Sequence, residues 1–140
     1  MILFKPYHVH PIVVLDEDPM IRKTQTRRVW KKQRAKIGSR HQCKTRMFTV
    51  KDDYFALVEI LDVYEQSLGD MTEEDARAEG GYTLAEYAHL WEIINKAPPN
   101  PLQEVFVVEM ECVEVKISPS DLVKYGSMYR EHMRALRGIA

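Results

Sequence analysis

Chemistry-bearing side chains are densest between Arg22 and Trp30. There Arg22, Lys23, Arg27 and Arg28 are interleaved with the hydroxyls of Thr24 and Thr26, and the run closes on an indole. Ammonium and guanidinium groups hold anions, the guanidinium through a two-bond fork that matches phosphate or carboxylate. The same charge continues downstream: from Arg22 to Arg46 there are eleven basic residues and no Asp or Glu. A one-signed block in a chain of net charge −1 means that charge is segregated. Segregated positive charge faces an anionic partner, and phosphate leads the candidates through Coulomb attraction and counterion release. The alternative stays open, because from Glu59 to Glu114 fourteen acidic residues meet only Arg77 and Lys96. If that acidic half folds across the basic one, the same residues form a salt-bridged surface.

The elements that must position this block read as mixed α and β within one domain, since 140 residues with 45 % hydrophobic content suffice for a core without disulfides. Ile2-Leu3-Phe4 is a short strand, and Pro6 to Leu15 is a helical turn or two limited by Pro11. Arg40 to Val50 alternates as a strand. Tyr54 to Tyr64 is a stronger one, with Ala56, Val58 and Ile60 on one face. Thr72 caps a helix that runs to Glu79 and stops at Gly80-Gly81. Thr83 opens the next, with Glu86 completing a capping box and an apolar stripe through Leu84, Tyr87, Ala88, Trp91 and Ile94. A proline-rich loop then leads to the strand Glu104 to Val115. Ser118-Pro119 starts a last helix through about Arg137. Strands at both ends with a helical pair before the last one predict an α+β domain, a small mixed barrel with a helical insert and a C-terminal helix.

Several classes are disfavoured. No segment approaches the ~20 apolar residues of a membrane span, and Lys5-Pro6 interrupts any signal-peptide pattern. Cys43 and Cys112 form no Cys/His cluster, so buried free thiols and a cytoplasmic setting are expected. His8 and His10 lack a third ligand, so neither a metal nor a cofactor is expected.

The N-terminal strand, the Lys23-Thr24-Gln25-Thr26-Arg27-Arg28 string, the Gly38 turn and the run ending in EVFVVEMECV resemble the ASCH domain. That family is related to the PUA-like, RNA-associated β-barrels. The stretch Leu68 to Ile94 is similar to the helical insert of many members, although Met20-Ile21-Arg22 stands where they carry a glycine before the lysine. The resemblance divides the chain into an ASCH domain over 1–115 and a helical extension over 116–140. It implies a pocket that faces RNA or a modified nucleoside. Some compact members are amidohydrolases that deacetylate N4-acetylcytidine, using a Lys and a Thr three residues apart and a Glu in the insert. Carried over, these are Lys23, Thr26 and Glu79.

That set makes specific demands. Thr26 is a poor nucleophile until a base takes its proton. Lys23 is a base only when neutral, so its reference pKa of ~10.4 must fall. Burial and the neighbouring Arg22, Arg27 and Arg28 push it down, whereas Glu79 pushes it up. Glu79 is therefore assigned to the leaving amine or to orienting Lys23. Regular strand geometry would put Lys23 and Thr26 on opposite faces and make Thr24 the rival hydroxyl.

The remaining candidates keep two roles each. Arg22, Arg27 and Arg28 hold phosphate, or an arginine pairs with the acidic insert. Lys31, Lys32 and Arg34 form a basic loop for non-specific phosphate attraction. Trp30 either stacks on a base or joins the core. The last helix packs on the core, pairs in a homodimer, or docks a protein partner. Three readings follow: an RNA- or modified-nucleoside-binding domain of RNA metabolism, an amidohydrolase, and a regulatory interaction module.

Overall fold

The computed structural model describes residues 1–13, 21–46 and 52–139. Five strands form one curled sheet, a half-barrel, in the order β1 (Ile2–Leu3), β3 (Arg40–Lys44), β4 (Ala56–Ser67), β5 (Glu104–Val115) and β2 (Gln25–Arg28). Only β1 and β3 run parallel among these neighbours. The helices are α1 (Val9–Val13), α2 (Glu73–Ala78), α3 (Leu84–Asn95) and α4 (Pro119–Ile139).

The long β4–β5 pair forms the sheet's spine. Ala56, Val58 and Ile60 alternate inward and are closed to solvent, as their spacing predicts. Register shifts leave Val113 of β5 unpaired opposite Leu57/Val58 and Leu61 of β4 unpaired between Ile60 and Asp62, and bulges of this kind bend strands and increase their twist. Pairing with β5 also carries β4 on to Ser67, past the expected end at Tyr64. Strand β3 stops at Lys44, and the rest of the expected 40–50 strand lies largely in 47–50, outside the described residues. Val14 and Leu15, at the end of the first helical segment, also lie outside them.

Both insert helices have reciprocal caps. Thr72 Oγ1 accepts from Asp75 N–H at 3.1 Å while Asp75 Oδ2 accepts from Thr72 N–H at 2.9 Å. Thr83 and Glu86 do the same at the start of α3. Helix α4 is capped by Ser118 Oγ, which accepts from Asp121 N–H at 3.2 Å. It packs on the Pro6–His8 turn, α1 and α3. Tyr129, Met133 and Leu136 are buried in one cluster with Tyr82, Tyr87, Leu90 and Trp91. Full burial of such side chains stabilises by about 1.5–3 kcal/mol each, so the segment beyond residue 115 shares the core of what precedes it. Its first turns differ: Leu122 and Val123 face solvent. No helix among the described residues is long and apolar enough to cross a membrane.

Candidate functional site

The regular part of the basic string is short. Strand β2 pairs with β5 only from Gln25 to Arg28, in register Thr26 with Val108 and Arg28 with Phe106. Just before it the chain changes partners: Lys23 N–H donates to Pro11 O at 2.8 Å and Thr24 N–H to Ala78 O at 2.8 Å. Lys23 forms a single antiparallel bridge with Glu79. This irregularity relaxes the alternation that would separate Lys23 from Thr26. Both border a cavity of about 430 Å³, together with Glu79, Arg28 and His8. Thr24 borders a different depression, of about 510 Å³, with Arg22, Leu61 and Glu109; Lys23 borders both.

Glu79 is the C-cap of α2, and the Gly80-Gly81 turn behind it has φ of 144° and 88°, values that glycine adopts at little cost. Its carboxylate divides between two cations. Oε1 accepts from Lys23 Nζ at 3.2 Å, and Oε2 from Arg27 Nη1 at 2.9 Å. Lys23 Nζ also donates to the main-chain oxygens of Glu79, at 2.8 Å, and Gln25, at 3.0 Å. Three acceptors match the three protons of an ammonium, so the resting arrangement suits charged Lys23. Burial nevertheless lowers the Lys23 pKa below the ordinary lysine value; Glu79 opposes that shift, and Arg28 and Arg27 reinforce it. Burial, Glu79, Arg28 and Arg27 thus act in the directions that the sequence predicts.

Thr26 is buried, and its Oγ1 accepts from Arg28 Nε at 3.0 Å. Arg28 is fixed in turn by donation from Nη2 to Leu3 O at 2.8 Å and by the Phe4 ring, 5.0 Å from its guanidinium carbon. A cation held against a hydroxyl oxygen stabilises the alkoxide that appears when the hydroxyl loses its proton. Arg28 is thus committed to Thr26 and Leu3 O rather than standing free in solvent. The signal was present in the string, since residues two apart on a strand share a face.

Arg27 also borders the cavity, but its guanidinium is committed to the insert. Besides Glu79 it donates to Gln25 Oε1 at 2.9 Å and Gln66 Oε1 at 2.8 Å, and it lies 3.5 Å from Asp75 Oδ2. Its side chain has no solvent exposure, which leaves it closed to an external phosphate. The acidic insert thus covers the front of the basic block. Lys31, Lys32 and Arg34 remain exposed on the following loop. Trp30 is half-buried against Phe106, ring centroids 5.7 Å apart, and does not border the cavity.

The opposite wall is apolar. Tyr87, Leu90 and Trp91 of α3 border the cavity, and Asn95 adds an amide. The helical stripe announced their burial, but the sequence did not indicate that they wall a cavity. Burial, followed by the nearby negative charge of Glu79, raises the Tyr87 pKa well above the ordinary tyrosine value. Among the described residues no group of three or more His, Cys, Asp or Glu is placed to hold a metal ion. Cys43 and Cys112 are free thiols, and burial pushes the Cys43 pKa up to about 12.

Comparison with solved structures gives a likeness in backbone arrangement. Protein EF3133 from Enterococcus faecalis V583, whose family model is DUF984, matches over 67% of this chain and 63% of its own length. The identity is 20% and the TM-score 0.49. The match thus spans less than two thirds of that protein. No protein-family model and no curated protein matches the sequence.

Proposed function

We propose that the cavity binds a modified nucleoside, free or within RNA, and that this chain acts in RNA metabolism. The carrying observation is the cavity itself. At about 430 Å³ it falls within the ~300–1,000 Å³ of ordinary ligand sites, and it opposes an aromatic wall to a buried polar floor. A nucleobase is flat and apolar on its faces and rich in donors and acceptors at its edge. Tyr87 and Trp91 offer surfaces for the faces, while Lys23, Thr26, Arg28 and Asn95 offer groups for the edge. The exposed cations of the 31–36 loop would meet phosphates of a longer strand. The resemblance of the Lys23–Arg28 string and the helical insert to the ASCH domain supports the same reading.

A second reading, amide hydrolysis on a substrate such as N4-acetylcytidine, is favoured by one specific observation. Thr26, Lys23 with its lowered pKa, and Glu79 border the same cavity. In that chemistry Thr26 Oγ attacks the acyl carbon while neutral Lys23 takes the hydroxyl proton, exchanging its bond to Gln25 O for one to Thr26. Arg28 steadies the attacking oxygen. The proton passes by way of Glu79 to the departing amine, and water then releases the acyl group from Thr26.

Calorimetric titration with N4-acetylcytidine and cytidine, alongside chromatography of the mixtures, tests both readings. Binding that Thr26→Val weakens supports the first, and release of cytidine that Thr26→Val abolishes supports the second. Absence of binding by either nucleoside and by single-stranded RNA contradicts the proposal.

A further inference from the structure

A second chain of titratable groups leads away from the Lys23–Glu79 centre. His8 Nε2 lies 2.6 Å from the Tyr82 hydroxyl, and the same hydroxyl lies 2.8 Å from His132 Nε2. The three residues come from the Pro6–His8 turn, the segment between α2 and α3, and α4. His8 is buried and borders the cavity, Tyr82 is buried, and His132 is half-buried on the α4 side. The fold holds this geometry closely. A Cβ at Gly80 would come within 3.1 Å of the Tyr82 ring and 3.6 Å of the His8 ring. Tyr129 fixes the turn by donating to Gly80 O at 2.7 Å, and Tyr7 stacks on His132 with ring centroids 3.7 Å apart.

One hydroxyl carries one proton. Tyr82 can donate to only one imidazole, and for its second bond the other imidazole must donate to it. The two histidines are therefore coupled: a bare Nε2 on one requires a protonated Nε2 on the other.

We propose that His8, Tyr82 and His132 form a proton path between the cavity and the α4 face of the protein. A proton arriving at His132 Nδ1 releases the Nε2 proton of that ring to the Tyr82 oxygen. Tyr82 passes its own proton to His8 Nε2, and His8 gives up the proton on its other ring nitrogen. One proton enters and one leaves, and all three groups end neutral with both tautomers exchanged. A neutral-to-neutral relay suits this environment. Burial disfavours a His8 cation, as do Lys23, the outer imidazole His132 and Arg28. Besides the two imidazoles, Tyr82 faces Tyr7, Tyr129, Glu79 and Tyr87, and burial, reinforced by these acidic groups, disfavours its phenolate.

This inference goes beyond the nucleoside reading, and its test needs neither ligand nor turnover. Nitrogen-15 NMR of the imidazoles, followed from about pH 8 to about pH 4.5, reads the tautomer of each ring directly. The wild-type protein should show opposite protonation at the two Nε2 atoms near neutral pH. As His132 begins to take its second proton, its Nε2–H is locked onto Tyr82, so His8 should move toward the Nδ1–H form. In Tyr82→Phe, which keeps the ring, His8 should no longer follow His132. A wild-type His8 whose nitrogen shifts ignore the charging of His132 overturns the proposal. So does a Tyr82→Phe protein in which His8 still follows it.

Discussion

Lys23, Arg27 and Arg28 belong to the same uninterrupted basic run as Lys31, Lys32 and Arg34, yet the fold treats the two groups oppositely. The first three lie against the insert and the cavity: Lys23 and Arg27 share the Glu79 carboxylate, and Arg28 holds Thr26 and the main chain of β1. The second three stand in solvent on the loop that follows. Identical formal charge thus has two physical meanings. Buried and multiply bonded cations set the electrostatics of a small site, whereas exposed ones contribute long-range, salt-screened attraction.

The contrast is most open to disruption at Glu79. Glu79→Ala leaves Lys23 and Arg27 buried without their shared carboxylate, and removing one partner from such a group costs about 3–5 kcal/mol. Urea unfolding should register a loss of that size, and Glu79→Gln a smaller one because its amide oxygen still accepts. A change within about 0.5 kcal/mol for the alanine variant would erase the distinction between the two halves of the run.

Acid should act next, on the histidine side of the cavity. His8 and His132 have native pKa values below 6.5, in each case chiefly through burial, with His132 at about 4. Their unfolded forms therefore take up protons first. Stability should fall as pH drops below about 6.5, and the His132 share should be fully lost by about pH 4. Unfolding midpoints measured across this range check the sign, and His132→Gln should flatten part of the decline.

Arg28→Lys probes the buried half from within. It keeps the positive charge but loses the fork that reaches both Thr26 and Leu3 O, for a predicted loss of about 1–3 kcal/mol. If the arginine were merely another cation, lysine would serve equally well in an unfolding titration. The smallest stability effect belongs to the exposed half. Lys31→Ala, Lys32→Ala and Arg34→Ala combined should change stability by less than about 0.5 kcal/mol. The same variant should reduce the salt-dependence slope of single-stranded RNA binding by up to about 2, at ~0.7 for each phosphate no longer neutralised. An unchanged slope would remove the loop from any role in binding.

Much of the scaffold was legible in the residues. The β-branched and aromatic run from Glu104 to Val115 matches β5 to the residue, and Thr83 with Glu86 marks the start of α3, because strand-favouring side chains and capping are local signals. The order of strands was not legible, since the parallel pairing of β1 with β3 depends on residues distant in sequence. At the cavity, the charged and hydroxyl groups stood out by type. The closure of Arg27 by Asp75, Glu79 and Gln66 did not, because charge composition does not specify which ions meet. The His8–Tyr82–His132 chain was hidden for the same reason: its members are separated by 74 and 50 residues.

A crystal structure with N4-acetylcytidine, using Thr26→Val if the wild-type protein turns the nucleoside over, decides whether the cavity is a nucleoside site. The base should lie between the α3 aromatic wall and the Lys23–Arg28 floor, with its acetamide beside residue 26. A nucleoside bound only on the exposed basic loop, or a cavity that stays closed to it at saturating concentration, would contradict that placement.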